Sequence, residues 1–452
     1  MSSSTGIEPL KEPLKEDVAD DGTTSPSQNA PSPPDGGLVA WLQVLGAFFL
    51  NFNTWGLLNT FGLFQASYST LHPHWTSSQI SWLGSTQAFL MLFTCVLSGR
   101  LLDAGYFRTT LVTGILLSVL GMQLTSISTK YIHFILSQSV CVGIGLGMVF
   151  IPSITLVGQY FSSRRATAMG LAAAGSSVGG IVYPILLNHL IEKLDIRWAT
   201  RILGFCMLGT LLVPLAIMRP LFLVSHTTTT VTTTISTSVN RQKKPAVLKT
   251  RRRPSAAFAT WLLAVFFIFT GLYIPFFYIE TISSSSYALT ILNASSIPGR
   301  ILPSILADRV QRLGGPLAVM IPSVFLSGAV TLIWVAAYKS ATGNVLVAVF
   351  LGLASGAIQA VLPAQVPRLC PDLATLGANM GMTMFASGVG LLLGGPVAGV
   401  ILDGQSGKGH DGNEKEYVYW GMLSFAGVTI ILGGGFLVVV WWMMRKADGR
   451  SK

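Results

Sequence analysis

The chain has 452 residues, of which 51% are hydrophobic and only 10% are charged, and its mean hydropathy is +0.60. Soluble domains carry about 25% charged residues, so the composition excludes an ordinary soluble protein. The net charge of +11 does not indicate nucleic-acid binding, because the basic residues are distributed loop by loop rather than gathered in one groove. The expected partner of most of the surface is therefore the lipid bilayer, and no nucleic acid is expected.

Residues 1–37 are polar, acidic and rich in Pro and Ser, without the basic and apolar regions of a cleavable signal peptide. They predict a disordered cytosolic tail. Twelve apolar runs follow, each close to the roughly 20 residues that a helix needs to cross the hydrocarbon. Backbone groups in lipid must be satisfied within the segment, so these runs predict helices. The predicted spans are 38–64, 79–102, 109–127, 131–158, 166–191, 199–222, 256–279, 284–306, 316–338, 344–366, 374–402 and 417–444.

The runs fall into two sets of six, which predicts an all-α membrane protein with bundles at 38–222 and 256–444. Between the bundles, 223–255 is rich in Thr and basic residues and predicts a flexible cytosolic linker. The tail 445–452 is short and basic. Most of the 29 Lys and Arg residues then lie on one side of the membrane, so both termini are expected in the cytosol.

No organelle signal is evident, which leaves the plasma membrane as the default location. No metal-ligand spacing or nucleophile triad points to an enzyme, and no cofactor is expected. The expected oligomeric state is a monomer.

An internal repeat relates the two bundles. Asp103 follows the second span, and Asp308 follows the eighth span at a matching place. The fifth and eleventh spans each carry several Gly residues and a Pro, Pro184 and Pro396. Two like halves of six helices predict a transporter of the rocking type, with a small organic substrate held between the halves near the middle of the membrane.

Residues 99–108 resemble the loop motif between helices two and three of the major facilitator superfamily. Residues 34–37 resemble the signature that precedes the first helix in its monocarboxylate-porter family, and 160–170, 292–300 and 307–309 resemble the fungal branch of that family. The resemblance implies alternating access by two six-helix bundles. It also implies small organic cargoes such as monocarboxylates, although fungal relatives include a riboflavin permease and exporters of polyketide-type metabolites.

Arg300 is the one basic residue well inside a predicted span. A lone intramembrane arginine is costly and by default indicates function; the alternative is that it reaches the cytosolic interface. The resemblance implies that Arg300 binds a substrate carboxylate. Asn59 stands where family members keep a lysine, and Ser296 where they keep an aspartate. The sequence therefore does not support proton coupling, and it allows a facilitator as readily as a symporter.

The remaining candidate substrate residues are Asn53, Asn59, Asn293, Ser296 and Tyr273. The amides of span one and the aromatic residues of span seven suit a planar, partly polar molecule. The candidate gating residues lie where the family motif pairs charges with helix ends, and they are Asp103, Arg108, Asp308 and Arg309.

The loop 281–286 is short for the family. Two explanations are open: an error in the gene model, or a real deletion of about a dozen residues. The predicted function is secondary transport of an organic anion or planar aromatic metabolite. One alternative is an efflux pump for a fungal secondary metabolite. A second alternative belongs to a different functional class: a membrane nutrient sensor that keeps the fold but does not transport.

Overall fold

The computed structural model describes residues 35–161, 164–220, 256–283, 287–310, 314–370, 376–405, 407–408, 415–416 and 418–448. The predicted tail as far as residue 34, the linker 223–255 and residues 449–452 lie outside the described residues, as do 284–286 of the short loop. We number the membrane-crossing segments as spans 1 to 12 in chain order.

Six spans precede the linker. Span 1 is α1 and α2, span 2 is α3, span 3 is α4, span 4 is α5, a π-helical segment and α6, span 5 is α7 and span 6 is α8. Their bounds are α1 Leu38–Asn59, α2 Phe61–Leu71, α3 Ser77–Asp103, α4 Phe107–Ser126, α5 Tyr131–Phe134, the π-helical segment Ile135–Val142, α6 Gly143–Tyr160, α7 Arg165–Lys193 and α8 Ile196–Ile217.

Six spans follow the linker. Span 7 is α9 and α10, and spans 8 to 12 are α11 to α15. Their bounds are α9 Ala256–Leu272, α10 Ile274–Ser283, α11 Ala288–Arg309, α12 Pro316–Ala337, α13 Ala341–Leu369, α14 Leu376–Gln405 and α15 Trp420–Asp448. Between α14 and α15, the two-residue strands β1 (Gly407–Lys408) and β2 (Lys415–Glu416) pair antiparallel.

Eleven of the spans in the described part of the chain are long and apolar enough to cross a membrane. Span 8 has 22 residues, a sufficient length, but Asn293, Ser296 and Arg300 make it more polar than the others. These three side chains are buried inside the protein, so lipid does not have to solvate them. The prediction of an all-helical fold with twelve spans in two six-helix bundles is confirmed.

The two bundles meet along three pairs of spans: 2 with 11, 5 with 8, and the second helices of spans 1 and 7 with each other. We call the end of the molecule where span 6 ends at Ile217 and span 7 begins at Ala256 the linker side, and the opposite end the far side. The contact between α2 and α10 lies at the far side. Among the described residues, no packing of comparable extent joins span 4 to span 10.

Spans 1 and 7 are both interrupted near their middle. Span 1 breaks at Thr60, whose N–H donates to the carbonyl of Leu57 at 3.1 Å. Span 7 breaks at Tyr273, two residues before Pro275, which has no N–H to continue the helical hydrogen bonds. The two halves therefore have matching breaks, and at the break in span 1 the Thr60 hydroxyl donates to the carbonyl of Gly56 at 2.8 Å.

Candidate functional site

A cavity with about 670 Å³ of empty space, part of which is open to solvent, lies between the two bundles. Its lining residues occupy the middle and the linker-side parts of their spans, so the cavity lies on the linker side of the closed contact between spans 1 and 7. Both halves contribute, chiefly through Asn51, Trp55, Phe150, Phe269, Arg300 and Gln359.

Arg300 lies in the wall of this cavity and is only 2% exposed. Its Nη2 donates to Oε1 of Gln359 in span 10 at 3.0 Å. No carboxylate in the described part of the chain forms an ion pair with it, and its Nε has no hydrogen-bond partner there. The site therefore holds a buried positive charge whose countercharge is not supplied by the described residues.

Tyr273 connects the arginine to an aromatic cluster. Its hydroxyl donates to the same Oε1 of Gln359 at 3.2 Å. Its ring lies 5.8 Å from that of Trp55 in the other half, and stacks with Phe269 and Phe276 in its own. The cluster forms an apolar boundary beside the charged group.

Two hydrogen bonds between the halves involve predicted substrate-binding residues. Asn59 Nδ2 donates to Asn293 Oδ1 at 3.1 Å, and both side chains are fully buried. The hydroxyls of Ser177 in span 5 and Ser296 in span 8 lie 2.6 Å apart. These contacts lie farther toward the far side than Arg300, so they help to close the cavity at that end.

Asn53 lies in a different environment. Its Oδ1 accepts from the hydroxyls of Tyr183 and Thr210, and its Nδ2 donates to the carbonyl of Phe49. All of these partners belong to the N-terminal half. Asn53 therefore ties spans 1, 5 and 6 together, and Asn51 is the amide of span 1 that lines the cavity.

The far side is closed by direct contact between the halves. The Ser81 hydroxyl in span 2 lies 2.7 Å from that of Tyr278 in span 7, and the rings of Phe61 and Phe277 meet edge to face at 5.1 Å. Gly62 packs against span 7 so closely that a Cβ there would come within 3.0 Å of the Phe276 carbonyl oxygen. A substrate in the cavity cannot pass this layer without movement of the halves.

Asp308 makes a contact between the halves on the linker side. Its Oδ2 accepts from both the backbone N–H and the hydroxyl of Thr167, each at 3.1 Å. Thr167 lies in the first turn of span 5, where N–H groups lack helical partners and the helix dipole favours a negative charge. Asp308 therefore caps a helix of the opposite half.

The other predicted gating residues make no hydrogen bond between the halves among the described side chains. Arg309 and Arg108 are exposed at the linker-side ends of spans 8 and 3. The side chain of Asp103 lies outside the described part of the structure. Of the four predicted gating residues, Asp308 is thus the one that is seen to join the halves.

Replacing Asp308 with Ala is expected to destabilise the protein by about 1 kcal/mol, the usual cost of a lost helix cap. Asp308→Asn retains one acceptor oxygen and should therefore lose less stability than Asp308→Ala. Thermal unfolding in detergent measures both effects, with the exposed neighbour change Arg309→Ala as control. An unchanged melting temperature for Asp308→Ala would contradict the capping role.

The sequence analysis missed Gln359, the partner of both Arg300 and Tyr273. An amide within a largely apolar span is itself a signal of an interior-facing position, and Gln359 is one of the amides that span 10 carries. No group of three or more His, Cys, Asp or Glu side chains that could hold a metal occurs among the described residues.

The family model of the Major Facilitator Superfamily matches residues 40–371. The MFS-type transporter dbaD of Emericella nidulans is 35% identical over 411 residues, which cover 88% of this chain and 85% of the relative. The agnestins efflux protein AgnL12 of Paecilomyces divaricatus is 33% identical over 456 residues and 97% of each chain. The aspyridones efflux protein apdF of Emericella nidulans is 30% identical over 384 residues, or 83% of this chain and 74% of the relative.

These matches cover both bundles, and they agree with the two pseudo-symmetric halves and the cavity between them. They identify the superfamily as a whole, and none of the three relatives is named a monocarboxylate porter. The chain therefore belongs to the major facilitator superfamily and is a multi-pass membrane transporter.

Proposed function

We propose that this transporter exports an organic anion with a planar aromatic body, by alternating access of the two bundles. The observation that carries the proposal is Arg300, which lies buried in the wall of the central cavity without an acidic partner among the described residues. A buried charge is costly unless it is paired. An anionic substrate would supply the missing countercharge.

The lining of the cavity supports an aromatic cargo. Ligand pockets are mostly apolar, with a few polar groups that set orientation. Here Trp55, Phe150 and Phe269 accompany the polar Asn51 and Arg300. Aromatic side chains stack well on planar conjugated molecules.

The direction of transport follows from two arguments. The excess of Lys and Arg on the linker side favours a cytosolic position for that side and for both termini, so the cavity would load from the cytosol. Two relatives are named as efflux proteins for the metabolites aspyridones and agnestins. Export from the cytosol fits both arguments. The proposed location is the plasma membrane, the proposed oligomeric state is a monomer, and the motif resemblance favours the monocarboxylate-porter family.

The other site residues receive roles in the same scheme. Asn59 with Asn293, and Ser296 with Ser177, would form the far-side end of the binding site and separate when the far side opens. Asp308 would hold the linker-side ends of spans 5 and 8 together, and Asp103, Arg108 and Arg309 would contribute to the same gate. Asn53 is left out, because its polar atoms are used within one half.

Uptake into membrane vesicles whose linker side faces outward tests the proposal. Labelled naphthoate should accumulate above the level of vesicles without the protein, and its uncharged analogue naphthamide should not. Equal accumulation of acid and amide would overturn the anion site. No transport of any aromatic acid by correctly inserted protein would overturn the transport proposal and favour a sensor.

A further inference from the structure

Gln359 has a fixed orientation in the cavity wall. Its Oε1 accepts from Arg300 Nη2 at 3.0 Å and from the Tyr273 hydroxyl at 3.2 Å. A guanidinium group only donates hydrogen bonds, so the amide atom that faces it has to be the oxygen. The usual ambiguity between the oxygen and nitrogen of an amide is thus removed by chemistry. The Nε2 group is turned away from both partners.

The two contacts also occupy both acceptor positions of the Gln359 amide oxygen. A carbonyl oxygen has two lone pairs, and here Arg300 takes one and Tyr273 the other. Gln359 can therefore offer a ligand only its N–H groups. Arg300 likewise offers only N–H groups, so this pair of side chains presents donors alone.

Two of these donors are unpaired. Arg300 Nε and Gln359 Nε2 are both buried and have no hydrogen-bond partner among the described residues. Buried polar groups are nearly always paired, and each exception needs an explanation. Both side chains line the same cavity, and the two unpaired atoms are covered by protein in this arrangement. An acceptor group of a bound ligand, reached when the side chains turn, is the common explanation for the two.

We propose that Gln359 is a second substrate-binding residue, and that with Arg300 it selects anions whose single negative charge is shared by two acceptor oxygens. Carboxylates and ionised 1,3-dicarbonyl compounds both have this chemistry. The inference rests on the proposed function and makes its substrate class more specific. Alcohols, amides and esters are disfavoured, because they leave the charge of Arg300 uncompensated.

The test compares two anions and a neutral ester in the vesicle assay. The anions are naphthoate, a carboxylate, and ionised 4-hydroxycoumarin, an enolised 1,3-dicarbonyl. Methyl naphthoate serves as a neutral competitor. Gln359→Leu should raise the half-saturating concentration of both anions about tenfold, the effect of one lost hydrogen bond to a charged group. If the half-saturating concentration rises for only one of the two anions, Gln359 recognises either carboxylates or ionised 1,3-dicarbonyl compounds. That result would overturn the proposal that the site selects both kinds of anion.

Gln365→Leu is the matched control. Gln365 lies on the same span and is also buried, but it is not part of the cavity lining, and its Nε2 faces the Met444 sulfur at 3.6 Å. The control should leave both half-saturating concentrations unchanged. If Gln365→Leu raises them as much as Gln359→Leu, the effect comes from span 10 as a whole and the inference is overturned.

Gln359→Glu gives an independent answer if the leucine variant fails to insert. The new carboxylate would pair with Arg300 and take the place of the ligand anion, so anion affinity should fall at least about 25-fold. The neutral ester, which the site disfavours, should remain a weak competitor. Retained anion transport in this variant would overturn the inference.

The failures of the two proposals are distinguishable. If the wild-type protein moves neither anion, the proposed function itself fails. If the wild-type protein moves both anions and needs Arg300, but Gln359→Leu leaves the half-saturating concentrations unchanged, only the role of Gln359 fails.

Discussion

Arg300→Ala is expected to reduce the transport of an aromatic acid at least about 25-fold. Truncating one member of a buried charged pair costs roughly 2–5 kcal/mol, and each 1.4 kcal/mol is a factor of about ten. Arg300 is the buried cation of the cavity wall, and no other basic side chain lines that cavity. Nothing in the described lining could take over its charge.

The stability of the same variant gives a second readout. Arg300 makes a single side-chain hydrogen bond, to Gln359, and its charge is unpaired among the described residues. Removing an uncompensated buried charge relieves its desolvation cost. We therefore expect Arg300→Ala to keep or raise the melting temperature in detergent while transport is lost, which separates a binding defect from misfolding.

Two further variants test whether acid transport specifically requires the arginine at position 300. Arg300→Lys keeps the charge but loses the planar donor arrangement of the guanidinium, so an intermediate rate is expected. Arg197→Ala removes an exposed arginine from the far-side start of span 6 and should have little effect. Normal acid transport by Arg300→Ala would show that the anion site lies elsewhere.

The spans could be predicted from the sequence because membrane helices require long apolar runs. Their ends were less well predicted. Span 1 continues to Leu71 rather than ending at 64, since Gln65 and Tyr68, which read as polar, turn inward and are buried. Tyr68 donates to Gln138 of span 4 at 2.8 Å. A linear hydropathy pattern cannot show that a polar residue has such a partner.

For the candidate site, the sequence indicates single unusual residues and does not indicate how side chains pair. Arg300 stands out because a lone charge in a span is rare, and it lies in the cavity wall. Asn53 and Asn59 were grouped together, yet six residues turn a helix by about 240°, so the two amides cannot face the same way. The bond between Asn59 and Asn293, and the one between Arg300 and Gln359, join distant parts of the chain. Such pairs follow from tertiary packing alone.

Gly62→Val is expected to open the far side of the transporter. A Cβ at this position would approach the Phe276 carbonyl oxygen to less than 3.0 Å, and a backbone atom cannot rotate away. Overpacking of this kind typically costs about 1–3 kcal/mol, which shifts an equilibrium between two states roughly 5- to 150-fold. Because Gly62 and Phe276 belong to different halves, the cost falls on the state in which the far side is closed.

Labelling of a cysteine placed behind the closed layer measures this shift. Ser85 in span 2 is fully buried, and its hydroxyl has no hydrogen-bond partner among the described residues, so Ser85→Cys should disturb little. A membrane-impermeant maleimide added at the far side should react with this cysteine at least about five times faster when Gly62→Val is present. Export should fall as well, since a transporter held open at one side cannot complete its cycle.

Gly209→Val is the matched control for this experiment. Gly209 lies in span 6, where a Cβ would meet nothing within 4 Å, so it receives the same substitution without the steric conflict. Labelling and export should then match those of the Ser85→Cys parent. If Gly62→Val labels no faster than Gly209→Val, the α2–α10 contact is not the barrier that closes the far side. In that case closure would have to depend on the packing of spans 2 and 11, where Ser78 Oγ donates to the Pro396 carbonyl at 3.2 Å.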